Sequence, residues 1–320
     1  MTAWLLTGLG LLILLLAGDA LVRGAVNLSL RLGVPALIVS LTIVAFGTSA
    51  PELLIAISAI KENAPGIALG NVVGSNTANI LLVLGVPALL ATLHTSECDS
   101  RKNYVFMLLA SAMFIGLAFF GVFTLLSGAI LLAALGIILW IAFREANNHR
   151  KSCGQTFPNS DDLEGLEEAD PSMPYWKVSI YLVLGLIGLP MGAHLLVENA
   201  TLIARTYGVS ETVIGLTLVA VGTSLPELAT TVMAALRRQA DVALGNVIGS
   251  NMFNLLAIVG IATFVGPIPV DAEFLRFDLW VMLGASLLLI PFVFFKQDIT
   301  RIWGILLTLL YAAYVLSLLV

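Results

Sequence analysis

Long apolar runs separated by short polar turns repeat along the whole chain. A hydrocarbon core about 30 Å thick takes roughly 20 apolar residues per helix, and the pattern predicts ten such helices. They run approximately over 4–32, 35–60, 67–93, 104–120, 123–143, 178–207, 209–236, 242–265, 279–295 and 302–319. The first carries no Lys or Arg at its start and stays apolar well past Asp19, so it reads as a retained span and not as a cleaved leader. The expected fold class is an all-α polytopic membrane protein.

A second periodicity is superimposed on the first. One constant step along the chain carries Gly47 to Gly222, Glu52 to Glu227, Gly70 to Gly245, Ser75 to Ser250 and Asn79 to Asn254, with no gap. About half the positions from Leu41 to Gly85 match their counterparts, more than shared apolar composition gives. Each copy holds five predicted spans, an odd number, so the second copy enters the bilayer from the opposite side. Two inverted five-helix repeats are therefore expected, an arrangement that secondary transporters use to build a midplane site. The predicted domains are 1–143 for the first repeat, 144–176 for a linker and 177–320 for the second repeat.

Composition supports the membrane class and adds little about partners. The chain is 59% hydrophobic and 11% charged, against about a quarter charged for a soluble domain. The net charge of −5 is dominated by one acidic stretch in the linker, Asp161 to Glu168. Its spacing does not fit an EF-hand loop, and it reads as solvated. The loop with Asp271, Glu273 and Asp278 reads the same way. The lipid bilayer is the expected partner, with no nucleic acid and no obligatory protein partner. Alternate loops hold Arg31, Arg101, Lys102, Arg144, Arg150, Lys151, Arg237, Arg238, Lys296 and Arg301, whereas the others hold only Lys61, Arg205 and Arg276. The positive-inside rule makes the first group cytoplasmic, together with the linker, and puts both termini outside a cell membrane. Cys98 and Cys153 then face a reducing compartment, where a structural disulfide is not expected.

Candidate chemistry is concentrated where the two copies agree. Gly47-Thr48-Ser49-Ala50-Pro51-Glu52 returns as Gly222-Thr223-Ser224-Leu225-Pro226-Glu227. Proline has no N–H, so a helix passing through Pro51 leaves the Gly47 carbonyl unsatisfied. That oxygen, two hydroxyls and a carboxylate make a set of hard donors suited to Na⁺ or Ca²⁺. A lone charge at mid-membrane costs at least about 2.5–3.5 kcal/mol, so two glutamates there call for cations. Two negative charges balance one Ca²⁺ or two Na⁺, and a third Na⁺ would make exchange move net charge. The other repeated motif is Gly70-Asn71-Val72-Val73-Gly74-Ser75-Asn76-Thr77-Ala78-Asn79. Ser75 and Asn79 share a helix face and recur as Ser250 and Asn254, which marks them as ligands. Asn71 and Asn76 read as interhelical glue. Asp19, Arg23, His194 and Glu198 lie in the first and sixth spans. Arg23 can snorkel to an interface, and Arg23 and Glu198 fall at different depths and should not pair.

The paired motifs resemble those of the sodium/calcium exchanger family of cation/Ca²⁺ antiporters, and the resemblance extends over both halves. It implies a ten-helix fold in which spans two, three, seven and eight hold the ions while spans one and six slide across them. By motif position it implies that Glu52 and Glu227, with the carbonyls of Thr48 and Thr223, coordinate Ca²⁺. Sodium would use the same acids with Ser49, Ser75, Ser224, Ser250 and the carbonyls of Ala45 and Ala220, while Asn79 and Asn254 line the middle. No cofactor is implied beyond the transported Ca²⁺ and Na⁺. Some relatives place an acid where this chain has Asn79 or Asn254, so a third titratable group is missing and proton coupling is disfavoured. The linker is also too short for the folded regulatory domain of animal relatives. Alternatives left open are a Ca²⁺/H⁺ antiporter using the same acids and a cation channel. An intramembrane enzyme is disfavoured by the lack of Gly-x-Gly-Asp and His-Glu-x-x-His motifs.

Overall fold

The computed structural model describes residues 2–152, 170, 172–208 and 220–318. Its helices fall into ten segments: α1 (Thr2–Leu32), α2 (Ala36–Lys61), α3 (Pro65–Leu90), α4 (Arg101–Ala118), α5 (Leu125–Ser152), α6 (Tyr175–Thr206), α7 (Leu225–Leu236), α8 (Ala240–Ala262), α9 (Phe274–Phe294) and α10 (Arg301–Ser317). The acidic run of the linker, Cys153 and the first half of the predicted seventh span lie outside the described residues. The Cys98 thiol lies 3.9 Å from the His94 carbonyl oxygen.

The backbone repeats as the sequence does. Residues with left-handed φ among those described are Gly33 and Gly208, Asn63 and Arg238, and Gly121 and Lys296. Each pair is related by the step that carries Glu52 to Glu227. Gly33 and Gly208 turn the chain out of α1 and α6, Asn63 and Arg238 join α2 to α3 and α7 to α8, and Gly121 and Lys296 precede α5 and α10. Short ladders tie the loops between helices. Val122–Phe123 pairs antiparallel with Ile268–Pro269, in the register Val122 to Pro269 and Phe123 to Ile268. At the opposite face Leu93 bridges Ile299.

Burial is arranged for a bilayer. The central helices are α3 and α8, whose sequences carry the asparagines and serines. In α8 every residue of the most apolar stretch is buried, whereas the Leu-rich α5 and α6 bury about a fifth of theirs. Leu5, Leu12, Leu16, Leu126, Phe143 and Ile302 are exposed on the outside of the bundle, where lipid is the solvent. Small residues set the closest approaches. A Cβ on Gly245 would lie 2.7 Å from the Leu37 carbonyl oxygen, and one on Gly249 would lie 2.6 Å from Ala45 Cβ, so α8 lies directly against the backbone of α2.

The pair α1 and α6 forms a separate layer. Leu14, Ala17, Leu21 and Ala25 of α1 cluster with Leu189 and Ala193 of α6, apart from the main core. A Cβ on Gly10 would sit 2.7 Å from Leu196 N, and its repeat counterpart on Gly185 2.9 Å from Leu21 N, so the contact is duplicated with the helices antiparallel. Arg31 at the end of α1 stacks on the Tyr175 ring at 4.4 Å, and Asn27 accepts from the Asp170 N–H at 3.0 Å. One correction concerns Asp278. It is not a freely solvated loop residue: it opens the helical stretch Asp278–Leu287 of α9, half-buried, and accepts a hydrogen bond from the Tyr314 hydroxyl of α10 at 3.2 Å.

Candidate functional site

Both signature prolines break their helices instead of being carried within them. Ser49 stands at φ −84, ψ 2 and Ser224 at φ −88, ψ 4, each as the cap of a new helix. Pro51 and Pro226 occupy the first turn of these helices, where a missing N–H costs nothing. Glu52 and Glu227 follow in the same turn. Their carboxylates are thus attached to the end of the helix with partial positive charge. The helix ends therefore do what the sequence assigned to one freed carbonyl: they bring side chains and backbone groups to a break between two helices.

The two glutamates are both 1% exposed. Glu52 Oε1 and Oε2 and Glu227 Oε2 have no hydrogen-bond partner among the described residues. The same holds for Asn79 Oδ1, Asn254 Oδ1 and the Ser224 hydroxyl. Unpartnered buried acceptors are rare and call for an explanation, and several charged ones together are costly. Hard cations are the class of ligand that oxygens of this kind suit. Among the described residues no group of three His, Cys, Asp or Glu side chains converges.

The remaining groups lock this arrangement across the repeats. The Ser49 hydroxyl donates to Glu227 Oε1 at 3.4 Å. Thr48 Oγ1 lies 3.5 Å from the Ser250 hydroxyl and donates to Asn246 Oδ1 at 3.4 Å. The Ala45 carbonyl accepts the Ser49 N–H at 3.1 Å and lies 3.3 Å from the Thr48 hydroxyl, whose single proton can go either to it or to Asn246 Oδ1. Ser75 is buried on α3, one turn before Asn79. Thr223 is half-buried in the wall of a cavity of about 230 Å³, with Pro51, Pro190, His194 and Pro226. Ala220 opens the short helix Ala220–Gly222 that leads to it.

Asn71 and Asn76, which the sequence reading treated as glue, belong to a network that also contains Asn79 and Asn254. Asn79 donates to Asn251 Oδ1 at 3.0 Å, and by the repeat step Asn254 donates to Asn76 Oδ1 at 3.3 Å. Asn251 and Asn76 also approach the sulfurs of Met107 and Met282, at 3.8 and 3.7 Å. Asn71 donates to the Glu52 carbonyl and Asn246 to the Glu227 carbonyl, each at 3.4 Å. Every bond in this set has its counterpart in the other repeat. Its effect is to turn the Asn79 and Asn254 carbonyl oxygens away from protein donors. Asn246, Asn251, Met107 and Met282 were missed as contributors; the signal was present in the recurrence of Asn71 and Asn76 at the repeat step.

The sodium/calcium exchanger protein family profile matches residues 2–144 and 177–320. The chain belongs to the sodium/calcium exchanger family. Among relatives of this exchanger, the sodium/calcium exchanger MaX1 of Methanosarcina acetivorans is 34% identical, over 97% of this chain and 96% of that one. The inner membrane protein YrbG of Escherichia coli is 33% identical, over 87% and 85%. A solved structure of the sodium-calcium exchanger NCX_Mj superposes at TM-score 0.80, with 31% identity over 99% of both chains. The exchanger fold of ten helices in two inverted repeats is thus the fold of this multi-pass membrane protein, and its relatives are transporters, not enzymes.

Proposed function

We propose that the chain exchanges Na⁺ for Ca²⁺ by alternating access, with one Ca²⁺ and the competing Na⁺ ions taking turns between Glu52 and Glu227. The observation that carries this reading is the set of buried, unpartnered oxygens contributed in matched pairs by both repeats: Glu52 with Glu227 and Asn79 with Asn254. Ca²⁺ accepts six to eight oxygens in flexible geometry, which suits two carboxylates with neighbouring backbone, amide and hydroxyl oxygens. In this reading the Thr48 and Thr223 carbonyls complete the Ca²⁺ set. Ser49, Ser75, Ser224, Ser250 and the carbonyls of Ala45 and Ala220 serve Na⁺. The Ala45 carbonyl becomes available when the Thr48 hydroxyl rotates away.

Two carboxylates neutralise one Ca²⁺, so a cycle that returns three Na⁺ moves net charge, and inward Na⁺ flow extrudes Ca²⁺. The face with Arg31, Arg101, Lys102, Arg144, Arg237, Arg238, Lys296 and Arg301 is cytoplasmic in this reading, and both termini are outside. The site lacks a third carboxylate because positions 79 and 254 are amides, which favours Na⁺ over H⁺ as the coupling ion.

Proteoliposomes test the reading. An outward Na⁺ gradient should drive ⁴⁵Ca²⁺ uptake and generate a membrane potential, and a pH gradient in Na⁺-free buffer should not. Uptake driven by the pH gradient alone would overturn it in favour of Ca²⁺/H⁺ exchange.

A further inference from the structure

Asp19 on α1 is shared by two guanidinium groups. Arg23, one turn further on, reaches Asp19 Oδ2 at 2.8 Å, and Arg237, just past the end of α7, engages Asp19 Oδ1 through both Nε and Nη2. The contact is largely desolvated, with the Arg237 and Asp19 side chains 14% and 18% exposed. It joins two different layers. Asp19 belongs to the α1 and α6 pair, with its own apolar cluster, and Arg237 to the helices that present the acids. One residue before Asp19, a Cβ on Gly18 would lie 2.9 Å from the Ala229 carbonyl oxygen of α7. The two layers are therefore in backbone contact at Gly18.

The repeat step puts an acid where each arginine stands and an imidazole where the acid stands. Asp19 becomes His194, Arg23 becomes Glu198, and Arg237 corresponds to Glu62 in the first repeat. The intrahelical half of the cluster is reproduced with the acid and its partner exchanged: His194 Nε2 lies 3.6 Å from Glu198 Oε2. The interlayer half is not. His194 is 82% exposed in the wall of the cavity next to Thr223, and Glu62, also exposed, makes no ion pair among the described residues. One face of the molecule thus has its interlayer tie made, and the other has complementary groups standing apart.

Alternating access in an inverted-repeat transporter moves one bundle against the other around a fixed site. The contacts that close one face in one state are then expected at the repeat counterparts on the other face in the other state. We propose that Asp19–Arg237 and His194–Glu62 are paired ties that set the balance between the two access states. The first is made in the state described here and the second in the opposite one. An imidazole N–H donates to a carboxylate in either neutral tautomer, so the second tie does not require a charged ring. These are positioning residues: they touch no ion and act by fixing where α1 and α6 sit. The proposal rests on the alternating-access reading above.

The test is sided kinetics of Na⁺-driven Ca²⁺ exchange in oriented vesicles. Binding at one face is weakened in proportion as the state open to that face is less populated. Arg237→Gln should therefore raise the half-saturating Ca²⁺ at the Lys61 face and lower it at the Arg237 face, by about threefold or more in each direction. Arg237→Lys, which keeps the charge, should fall between Arg237→Gln and the parent. Glu62→Gln, at an exposed position that leaves folding intact, should shift both values in the opposite sense. Values that stay put, or that move together on the two faces, would overturn the proposal, as would Glu62→Gln acting in the same direction as Arg237→Gln. Should Arg237→Gln fail to fold, Arg237→Lys and Glu62→Gln decide the question by the same criteria. Absence of Na⁺-driven exchange in the parent protein would instead refute the antiport reading, so the two failures are distinguishable.

Discussion

The Ser49 hydroxyl of the first repeat donates to Glu227 Oε1 of the second at 3.4 Å, and both groups are buried. This contact makes the site a joint product of two halves that enter the bilayer in opposite directions. It leaves Glu227 with one oxygen held by protein and one without a hydrogen-bond partner, while Glu52 has both unpartnered. The two acids are sequence equivalents but not environmental equivalents. A hydrogen bond to a charged group is worth about 1.5–3 kcal/mol. Ser49→Ala should therefore raise half-saturating Na⁺ and Ca²⁺ by about tenfold or more, with the larger effect on Na⁺, whose proposed ligand set includes the hydroxyl. Flux measured against each ion separately checks this.

Glu52, Glu227, Asn79 and Asn254, whose buried oxygens lack partners, stand out in the sequence because two independent patterns agree on them. A carboxylate next to proline in an apolar run is unusual once, and its return at a fixed step is not explained by composition. The asparagine network was legible only in part. An Asn in a span can bond to any neighbour, and nothing local to Asn76 or Asn251 says that they cross to one another's repeat. The widened turns were not legible at all. Ser40–Val44 and Phe253–Ile258 are π-helical, and the Val83 N–H reaches back to the Ala78 carbonyl at 2.9 Å, where the repeat step places the counterpart of Phe253. Asn79 and Asn254 lie at the start of these turns. A π-turn inserts a residue without a composition signal. The charges of α1 were read as interfacial. That reading missed Arg237, because its partner is more than half the chain away.

Asn251 accepts from Asn79 at 3.0 Å and donates to the Asn76 carbonyl. Removing it orphans a buried donor, at a cost of about 1–3 kcal/mol. Asn251→Ala should lower thermal stability in detergent more than Asn71→Ala, whose site is only partly buried. Equal shifts would show that the network does not act as a unit.

Close backbone approach of α8 to α2 predicts a contrast between glycines. Gly249→Ala would place a methyl 2.6 Å from Ala45 Cβ and push away the helix end that carries Thr48 and Ser49. It should depress both stability and Ca²⁺ exchange. Gly284→Ala meets nothing within 4 Å on an exposed face of α9, and should be neutral or stabilising by up to about 1 kcal/mol through helix propensity. Melting temperature and flux of the two variants side by side give the comparison.

The loop before α10 offers a pH test away from the ions. Burial pushes the Asp298 carboxyl up, but hydrogen bonds from the Ser96 hydroxyl and N–H and the His94 ring outweigh it and hold the group below the usual carboxylate range. A carboxyl with a lowered pKa in the folded state stabilises above its unfolded pKa, and the contribution disappears as pH falls through the folded value. Asp298→Asn should therefore lower the melting temperature at pH 5 and lose its effect progressively below about pH 4. A difference that is independent of pH down to strongly acidic conditions would contradict this.

The claim on which the rest depends is that Glu52 and Glu227 share a single divalent ion. Calorimetric titration of Ca²⁺ into the purified parent, Glu52→Gln, Glu227→Gln and the double variant addresses it directly. Groups that act on one ligand are non-additive. The expected result is loss of about 100-fold or more in affinity for either single variant, with the double variant no worse than the weaker single. Near-parental Ca²⁺ affinity in either single variant, or two independent losses that sum in the double, would show that the two carboxylates do not hold the same ion.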